Sequence, residues 1–121
     1  MKVKTADLIG PALDWAVAVV EGLTEENAWT TIEIFKTARA GGLYWYSTNW
    51  GQGGPLVARE KLELRCNDDG WQAFCFGFPV AKAHSGRRVW ASGPTPLIAA
   101  MRTIVAGKFG DEVDVPDELM K

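Results

Sequence analysis

The apolar residues of the chain follow two different periods. Near both termini they recur with the spacing of about 3.6 residues that marks a helix, whereas in the middle they alternate as in strands. Residues 11–21 are predicted to form the first helix, because Pro11 suits the first helical position and Gly22 suits the position just past the end. Its apolar stripe consists of Leu13, Ala16, Val17 and Val20, widened by Trp15 and Val19.

The next segment, from Thr24 to Gly42, admits two interpretations. Thr24 is a suitable N-cap, two glutamates suit a first turn and a glycine pair suits a C-terminus, so a helix is predicted. The β-branched residues between Thr30 and Ile34 would also suit a strand, which stays the alternative.

The period changes at Leu43. Residues 43–48 are rich in aromatic and hydroxyl side chains and are predicted to form a strand. A loop containing three glycines and a proline, residues 51–55, is expected to follow it. Residues 56–60 suit either one helical turn or the lead-in to a strand.

Residues 61–66 and 71–78 are predicted to form a β-hairpin around the turn Asn67-Asp68-Asp69-Gly70. With Cys66 opposite Trp71, Cys75 falls opposite Leu62, too far from Cys66 for a disulfide. Both cysteines are therefore expected to be reduced and to pack as small apolar residues. The second strand is apolar on both faces, which predicts that layers cover the sheet on both sides.

The C-terminal part begins with Pro79, which is expected to end that strand, and with a basic loop at 82–88 that leads into a short strand at 88–92. Thr95 as N-cap and Pro96 at the first position then predict a helix that is closed by Gly110. Residues 113–116 suit an edge strand.

These elements predict a single α+β domain over residues 1–121. A small, mostly antiparallel sheet of three or four strands would pack with the N-terminal and C-terminal helices in an α/β sandwich-like layout. The length of 121 residues and the 47% of apolar residues fit one domain with a hydrophobic core. Its six tryptophans suit either core packing or an aromatic binding surface.

Charge and targeting signals limit the classes of partner. The net charge of −2 combines a slightly basic body with ten acids and twelve bases, an acidic segment at 111–118 with five acids and no base, and the final Lys121. This distribution argues against a nucleic-acid binder, which needs a concentrated basic face. The N-terminus lacks a signal peptide, and the apolar stretch 8–20 is interrupted by Asp14 and too short to span a bilayer. We therefore expect no membrane partner.

The sequence carries no recognisable catalytic residue set, and no cofactor or metal site is expected. Phosphate-binding loops, nucleophile elbows and zinc-protease helices are missing, and two cysteines with one histidine are too few for a zinc site. His84 is interpreted as an exposed polar residue rather than a general base. Asp14 is interpreted as a carboxylate that the helix dipole stabilises, the alternative being a functional role.

Two segments suit ligand binding. Residues 44–59 mix aromatic rings, hydroxyls, an amide pair and glycines, as a ligand pocket requires, although Trp50 could instead plug the core. The helix start at Thr95, with Arg102 nearby, suits an anion, although ordinary capping explains it as well. The candidate binding residues are Tyr46, Ser47, Thr48, Trp50, Gln52, Arg59, Thr95 and Arg102.

Several motifs in these segments and at the N-terminus resemble the NinX-type proteins of lambdoid phages. They are MKVKTADL at 1–8, ALDWAVA at 12–18, YSTNW at 46–50, QGGP at 52–55, GPTPLIAAMR at 93–102 and GDEV at 110–113. The resemblance implies a phage-encoded accessory protein in the host cytoplasm. The predicted layout of helices flanking a small sheet is also similar to that of small phage sandwich proteins, some of which sequester nucleotide signals of bacterial immunity.

The leading hypothesis is therefore a non-enzymatic, homo-oligomeric binder that sequesters a small nucleotide-like ligand, with an anti-defence role. Tyr46 and Trp50 would stack the base, Ser47, Thr48 and Gln52 would bond its edges, and Thr95 with Arg102 would hold the phosphate. The alternative is an interaction module that binds a host protein through exposed tryptophan and the acidic tail. A third hypothesis, a nucleotide hydrolase, would need His84 or Asp14 as its base.

Overall fold

A computed structural model describes residues 1–23, 28–75 and 89–120. Within these ranges the chain has a mixed α+β fold, as predicted. The helices are α1 (Gly10–Val20), α2 (Ala28–Ala40), α3 (Trp50–Arg59) and α4 (Pro96–Phe109). The strands are β1 (Lys2–Lys4), β2 (Glu63–Asn67), β3 (Gly70–Cys75), β4 (Val89–Gly93) and β5 (Glu112–Asp114).

Helix α4 lies at the centre of the fold. It packs on β3 and β4 on one side and on α1 on the other, and it is buried on nearly all faces because its sequence is apolar nearly all round. The predicted ends are confirmed. The Thr95 hydroxyl accepts a hydrogen bond from the backbone N–H of Ile98 (3.1 Å), and Gly110 follows the helix with a positive φ of 83°.

The sheet is antiparallel, in the order β2-β3-β4, and the predicted pairing of Cys66 with Trp71 is confirmed. Neither cysteine forms a disulfide; Cys75 is buried, but Cys66 is exposed, so the expectation that both pack among apolar residues is wrong for Cys66. Helix α4 covers one face of the sheet. On the other face Trp90 is 53% exposed, and no helix packs there within the described residues.

The C-terminal strand β5 pairs with β1 in a separate two-stranded sheet rather than extending the main one. The predictions for residues 24–27, the phenylalanines at 76 and 78, and the basic loop lie outside the described residues. No helix in the described part of the chain is long and apolar enough to cross a membrane.

The middle of the chain departs most from the predictions. Residues 43–48 do not form a strand; Tyr44 has a φ of +62°, which interrupts extended backbone, and 46–48 form a turn. The expected loop at 51–55 belongs to helix α3, because the Asn49 side chain caps it by accepting from the backbone N–H of Gly51 (2.7 Å). Helix α2 confirms the helical interpretation of its segment over the strand.

The glycines of α3 allow it to pack closely on its surroundings. A Cβ on Gly53 would overlap the Tyr46 carbonyl oxygen and lie 2.8 Å from Leu97 Cδ2, whereas one on Gly54 would meet only Trp50 Cε3 at 3.7 Å. We expect Gly53→Ala to lower the free energy of unfolding by about 1–3 kcal/mol, the usual cost of overpacking.

The matched control is Gly54→Ala, which should raise the free energy of unfolding by about 0.5–1 kcal/mol, since alanine favours a helix. Urea unfolding of both variants provides the measurement. Equal effects of the two substitutions would contradict the close approach at Gly53.

Candidate functional site

The carboxylate of Asp14 in α1 is fully buried. Its Oδ2 accepts a hydrogen bond from the Arg39 guanidinium, and its Oδ1 accepts one from the backbone N–H of Ser47 (2.8 Å). No acidic residue lies in the first turn of α1, so the helix-dipole interpretation of Asp14 is wrong. Asp14 instead joins α2 and the turn at 46–48 to α1.

Arg39 holds the beginning of this turn by further contacts. Its Nη1 also donates to the Tyr44 carbonyl oxygen (2.7 Å), and its guanidinium carbon lies 3.6 Å from the centroid of the Trp45 ring. The Trp45 indole N–H in turn donates to the Arg39 carbonyl oxygen (2.9 Å). The backbone of residues 44–47 is therefore fixed by one arginine and one carboxylate.

Gln52 fixes the same segment from the side of α3. Its Oε1 accepts from the backbone N–H of Trp45 (2.7 Å), and its Nε2 donates to the Gly42 carbonyl oxygen (2.6 Å). Both ends of the amide thus bond backbone groups of the chain itself. The predicted role of Gln52 at a ligand edge is not what its contacts indicate.

This anchored turn forms one wall of a cavity of about 220 Å³ at the N-terminus of α4. We call it the Ser47 cavity. Its lining residues are Ser47, Thr48, Trp50, Thr95, Pro96, Leu97 and Ile98. Trp50 is 52% exposed, so it lines a cavity instead of plugging the core.

Ser47 is the most unusual member of the lining. The residue is only 2% exposed, yet its hydroxyl oxygen has no hydrogen-bond partner among the described residues. Buried hydroxyls are almost always bonded, so such an orphan requires an explanation. Ser47 lines the cavity, but its hydroxyl oxygen is itself closed to solvent.

A second polar group at the cavity was not foreseen from the sequence. Pro96 has no N–H, and the N–H of Ile98 is taken by Thr95, so the backbone N–H of Leu97 is the first-turn donor without a partner in the described chain. The Pro-x pattern after an N-cap threonine could have indicated this donor.

The remaining candidate residues lie outside the cavity. Tyr46 packs against the core with its ring centroid 6.2 Å from that of Tyr44, and burial raises the pKa of its phenol. Arg59 forms a bidentate ion pair with Glu21 (2.7 Å for both bonds) and bonds Glu60, which raises the pKa of its guanidinium.

Arg102, the residue expected to hold a phosphate, bonds the backbone instead. Its Nε donates to the Leu8 carbonyl oxygen (2.7 Å) and its Nη1 to the Ser92 carbonyl oxygen (2.9 Å). Burial lowers the pKa of its guanidinium. The structure therefore brings together four of the predicted residues, namely Ser47, Thr48, Trp50 and Thr95. Among the described residues, no cationic side chain lines their cavity.

The groups considered for catalysis are placed elsewhere. Both carboxylate oxygens of Asp14 accept hydrogen bonds in the interior, so this carboxylate is not a free base at the cavity. His84 lies outside the described residues. Within the described residues, no three histidine, cysteine, aspartate or glutamate side chains gather where they could hold a metal ion.

A comparison with protein families decides the relationship suggested by the sequence motifs. The family model described as bacteriophage P22 NinX matches residues 4–108. The chain belongs to the NinX family. The matched range includes every residue that lines the Ser47 cavity and the three segments that Asp14 joins in this NinX protein. The comparison with curated proteins finds no match.

The ion pair between Asp14 and Arg39 in this NinX chain should contribute measurably to the free energy of unfolding. Arg39→Met should lower the free energy of unfolding by about 3–5 kcal/mol, because it leaves the Asp14 carboxylate buried and without its cation. In the double variant Asp14→Asn with Arg39→Met the loss should be smaller than the sum of the single losses.

The control is Arg65→Met, which removes an arginine from an ion pair with Glu63 that is exposed on both sides (62% and 39%) and should cost about 1 kcal/mol or less. Denaturant unfolding of the four variants gives the coupling energy. If Arg39→Met costs no more than Arg65→Met, the buried pair of Asp14 and Arg39 does not hold the turn.

Proposed function

We propose that this phage accessory protein is a non-enzymatic binder that captures a small nucleotide-like ligand in the Ser47 cavity. The observation that carries the proposal is the buried Ser47 hydroxyl without a partner. Leaving such a group unpaired costs about 1–3 kcal/mol. In this proposal the Ser47 side chain, whose hydroxyl oxygen is closed to solvent in the structure, turns towards the cavity on binding and bonds a ligand atom.

The lining of the cavity supports a flat heteroaromatic ring. The half-exposed Trp50 indole offers a stacking face, and stacking a base on an aromatic side chain contributes about 1–3 kcal/mol. The hydroxyls of Ser47 and Thr48 and the N–H of Leu97 supply directional bonds to the ring edge. Nucleobases present both donors and acceptors along such an edge.

Size and charge indicate which part of the ligand enters. The cavity of about 220 Å³ is smaller than the roughly 300–1,000 Å³ that is usual for sites enclosing a drug-sized ligand. No cationic side chain from the described part of the chain lines it, and Thr95 already caps α4. In this proposal the base enters the cavity, while the sugar and any phosphate stay towards solvent, and Arg59 and Arg102 keep their internal bonds.

Stoichiometric capture explains how a small protein without a catalytic set would act. Each bound molecule is removed from the free pool of the infected cell, and no turnover is needed. If the ligand is a nucleotide signal of host immunity, capture would have an anti-defence effect.

Ligand binding is tested by calorimetric titration of the purified protein with a panel of nucleosides, their monophosphates and cyclic nucleotides. At least one base should bind, with affinity that depends on the base more than on the phosphates. Trp50→Ala should weaken that binding by at least about tenfold, as expected for losing one stacked base.

The matched control is Trp90→Ala, which removes a tryptophan of equal exposure (53% against 52%) on a different element. It should leave nucleoside affinity unchanged. A wild-type protein that binds no member of the panel, or an equal loss in both variants, would rule out the proposed use of Trp50.

The free energy of unfolding of a Ser47→Ala variant distinguishes a ligand-binding hydroxyl from a structural one. Ser47→Ala should leave the free energy of unfolding unchanged or raise it by up to about 1 kcal/mol, because the unbonded hydroxyl stabilises nothing, while it weakens ligand binding. Thr103→Val is the control, since that buried hydroxyl bonds the Ala73 and Ala99 carbonyl oxygens and its removal should destabilise. Equal destabilisation by both substitutions would make Ser47 structural.

A further inference from the structure

Strand β4 forms an open edge of the three-stranded sheet in the described part of the chain, where it pairs only with β3. The hairpin register shows which of its backbone groups point outwards. The two-residue turn places Asn67 opposite Gly70, and a turn of this length is closed by a hydrogen-bonded pair. Hydrogen-bonded and non-bonded pairs then alternate along the sheet.

Counting from that pair, the backbone N–H and C=O of Gln72 and of Phe74 point towards β2. Those of Ala73, between them, point towards β4. The partner of Ala73 is Ala91, so the residues on either side of it, Trp90 and Ser92, direct their backbone groups away from β3. The carbonyl oxygen of Ser92 supports this assignment, because it accepts its hydrogen bond from Arg102 (2.9 Å) rather than from β3. Among the described residues, the N–H and C=O of Trp90 have no partner.

A groove runs along this open edge. Its cavity of about 670 Å³ is bounded on one side by Trp90 and Ser92 and on the other by Lys4, Thr5, Asp111 and Glu112. Thr5 keeps the second wall in place, since its N–H donates to the Asp111 carbonyl oxygen (2.8 Å) and its hydroxyl to the Gly110 carbonyl oxygen (2.7 Å). We call this cavity the β4 groove; it shares no lining residue with the Ser47 cavity.

The side chains of the β4 groove carry a charge preference. The Trp90 ring is half exposed and stacked on Phe74, with centroids 6.3 Å apart and an interplanar angle of 28°. The rim has the carboxylates of Asp111 and Glu112 against the single cation Lys4, and none of the three forms an ion pair within the described ranges. An indole face beside a net negative rim attracts a guanidinium or ammonium group.

We propose that the β4 groove binds an extended basic segment of a partner protein, which adds to the sheet as a strand beside β4. The N–H and C=O of Trp90 would exchange hydrogen bonds with one residue of that segment, and a lysine or arginine would lie over the Trp90 ring near the two carboxylates. Backbone bonds supply affinity in this mode of recognition, and the side chains supply specificity. The site is independent of the nucleotide-like ligand proposed for the Ser47 cavity.

The probe is the peptide acetyl-Thr-Val-Arg-Val-Thr-amide, titrated into the isotope-labelled full chain and followed by NMR. Amide shifts should centre on residues 90–92. A strand that pairs along one edge uses every second N–H, so two N-methylated peptides test the geometry. One peptide is methylated at the backbone nitrogen of the arginine and the other at the backbone nitrogens of both valines. One of the two should bind at least about tenfold more weakly than the unmethylated peptide, and the other less than about threefold more weakly.

Charge and the aromatic face have separate controls. Replacing the peptide arginine by glutamate should weaken binding by at least about tenfold, with a smaller difference at high salt. Trp90→Ala should also lose at least about tenfold, whereas Trp50→Ala, a matched exposed tryptophan in the other cavity, should bind the peptide like wild type.

Three results would overturn the proposal. They are shifts that centre away from residues 90–92, equal effects of the two methylation patterns, and a sedimentation result in which two copies of this chain pair through β4 and exclude the peptide. The methylated peptides are tested on the unaltered protein, so the proposal stays open to refutation even if Trp90→Ala folds poorly.

Discussion

The burial of one carboxylate, that of Asp14, constrains the rest of this structure. A buried charge needs a countercharge and hydrogen bonds, and Asp14 obtains them from Arg39 in α2 and from the backbone N–H of Ser47. Segments that are 25 and 33 positions away along the chain are thereby brought to α1. The turn that carries Ser47 has its position because this carboxylate has to be satisfied.

The turn and helix α4 build the candidate site together. Asp14 holds the backbone of Ser47, and Gln52 with Arg39 holds the residues before it, so Ser47 and Thr48 face the capped end of α4. The opposite half of the same helix contributes to the β4 groove through Ala106. Two cavities with different linings thus depend on the central position of one apolar helix.

Local signals in the sequence predicted much of the fold. The threonine and proline before α4 and its closing glycine act within a single turn, and the hairpin follows from four consecutive turn residues. The NinX relationship is likewise visible in short motifs and is confirmed over residues 4–108. Such features depend on neighbours in the chain, so they can be derived without the tertiary structure.

The middle of the chain could not be derived in this way. The aromatic alternation at 43–48 has the pattern of a strand, but Arg39 and Asp14 impose a turn, and only the folded chain brings them to that segment. The ligand-binding roles predicted for Arg59 and Arg102 could not be derived from the sequence for the same reason. Long cationic side chains bond whichever acceptor the fold brings near, here Glu21 for Arg59 and two backbone carbonyls for Arg102.

The central claim is that Asp14 fixes the backbone that forms the Ser47 cavity. Hydrogen exchange of the Ser47 amide tests it most directly, because that N–H is the group which donates to the buried carboxylate. The account predicts that the Ser47 amide exchanges only through global unfolding, with the same protection free energy as amides in the centre of α4 such as that of Ile104. Exchange at the rate of an exposed loop amide would contradict it.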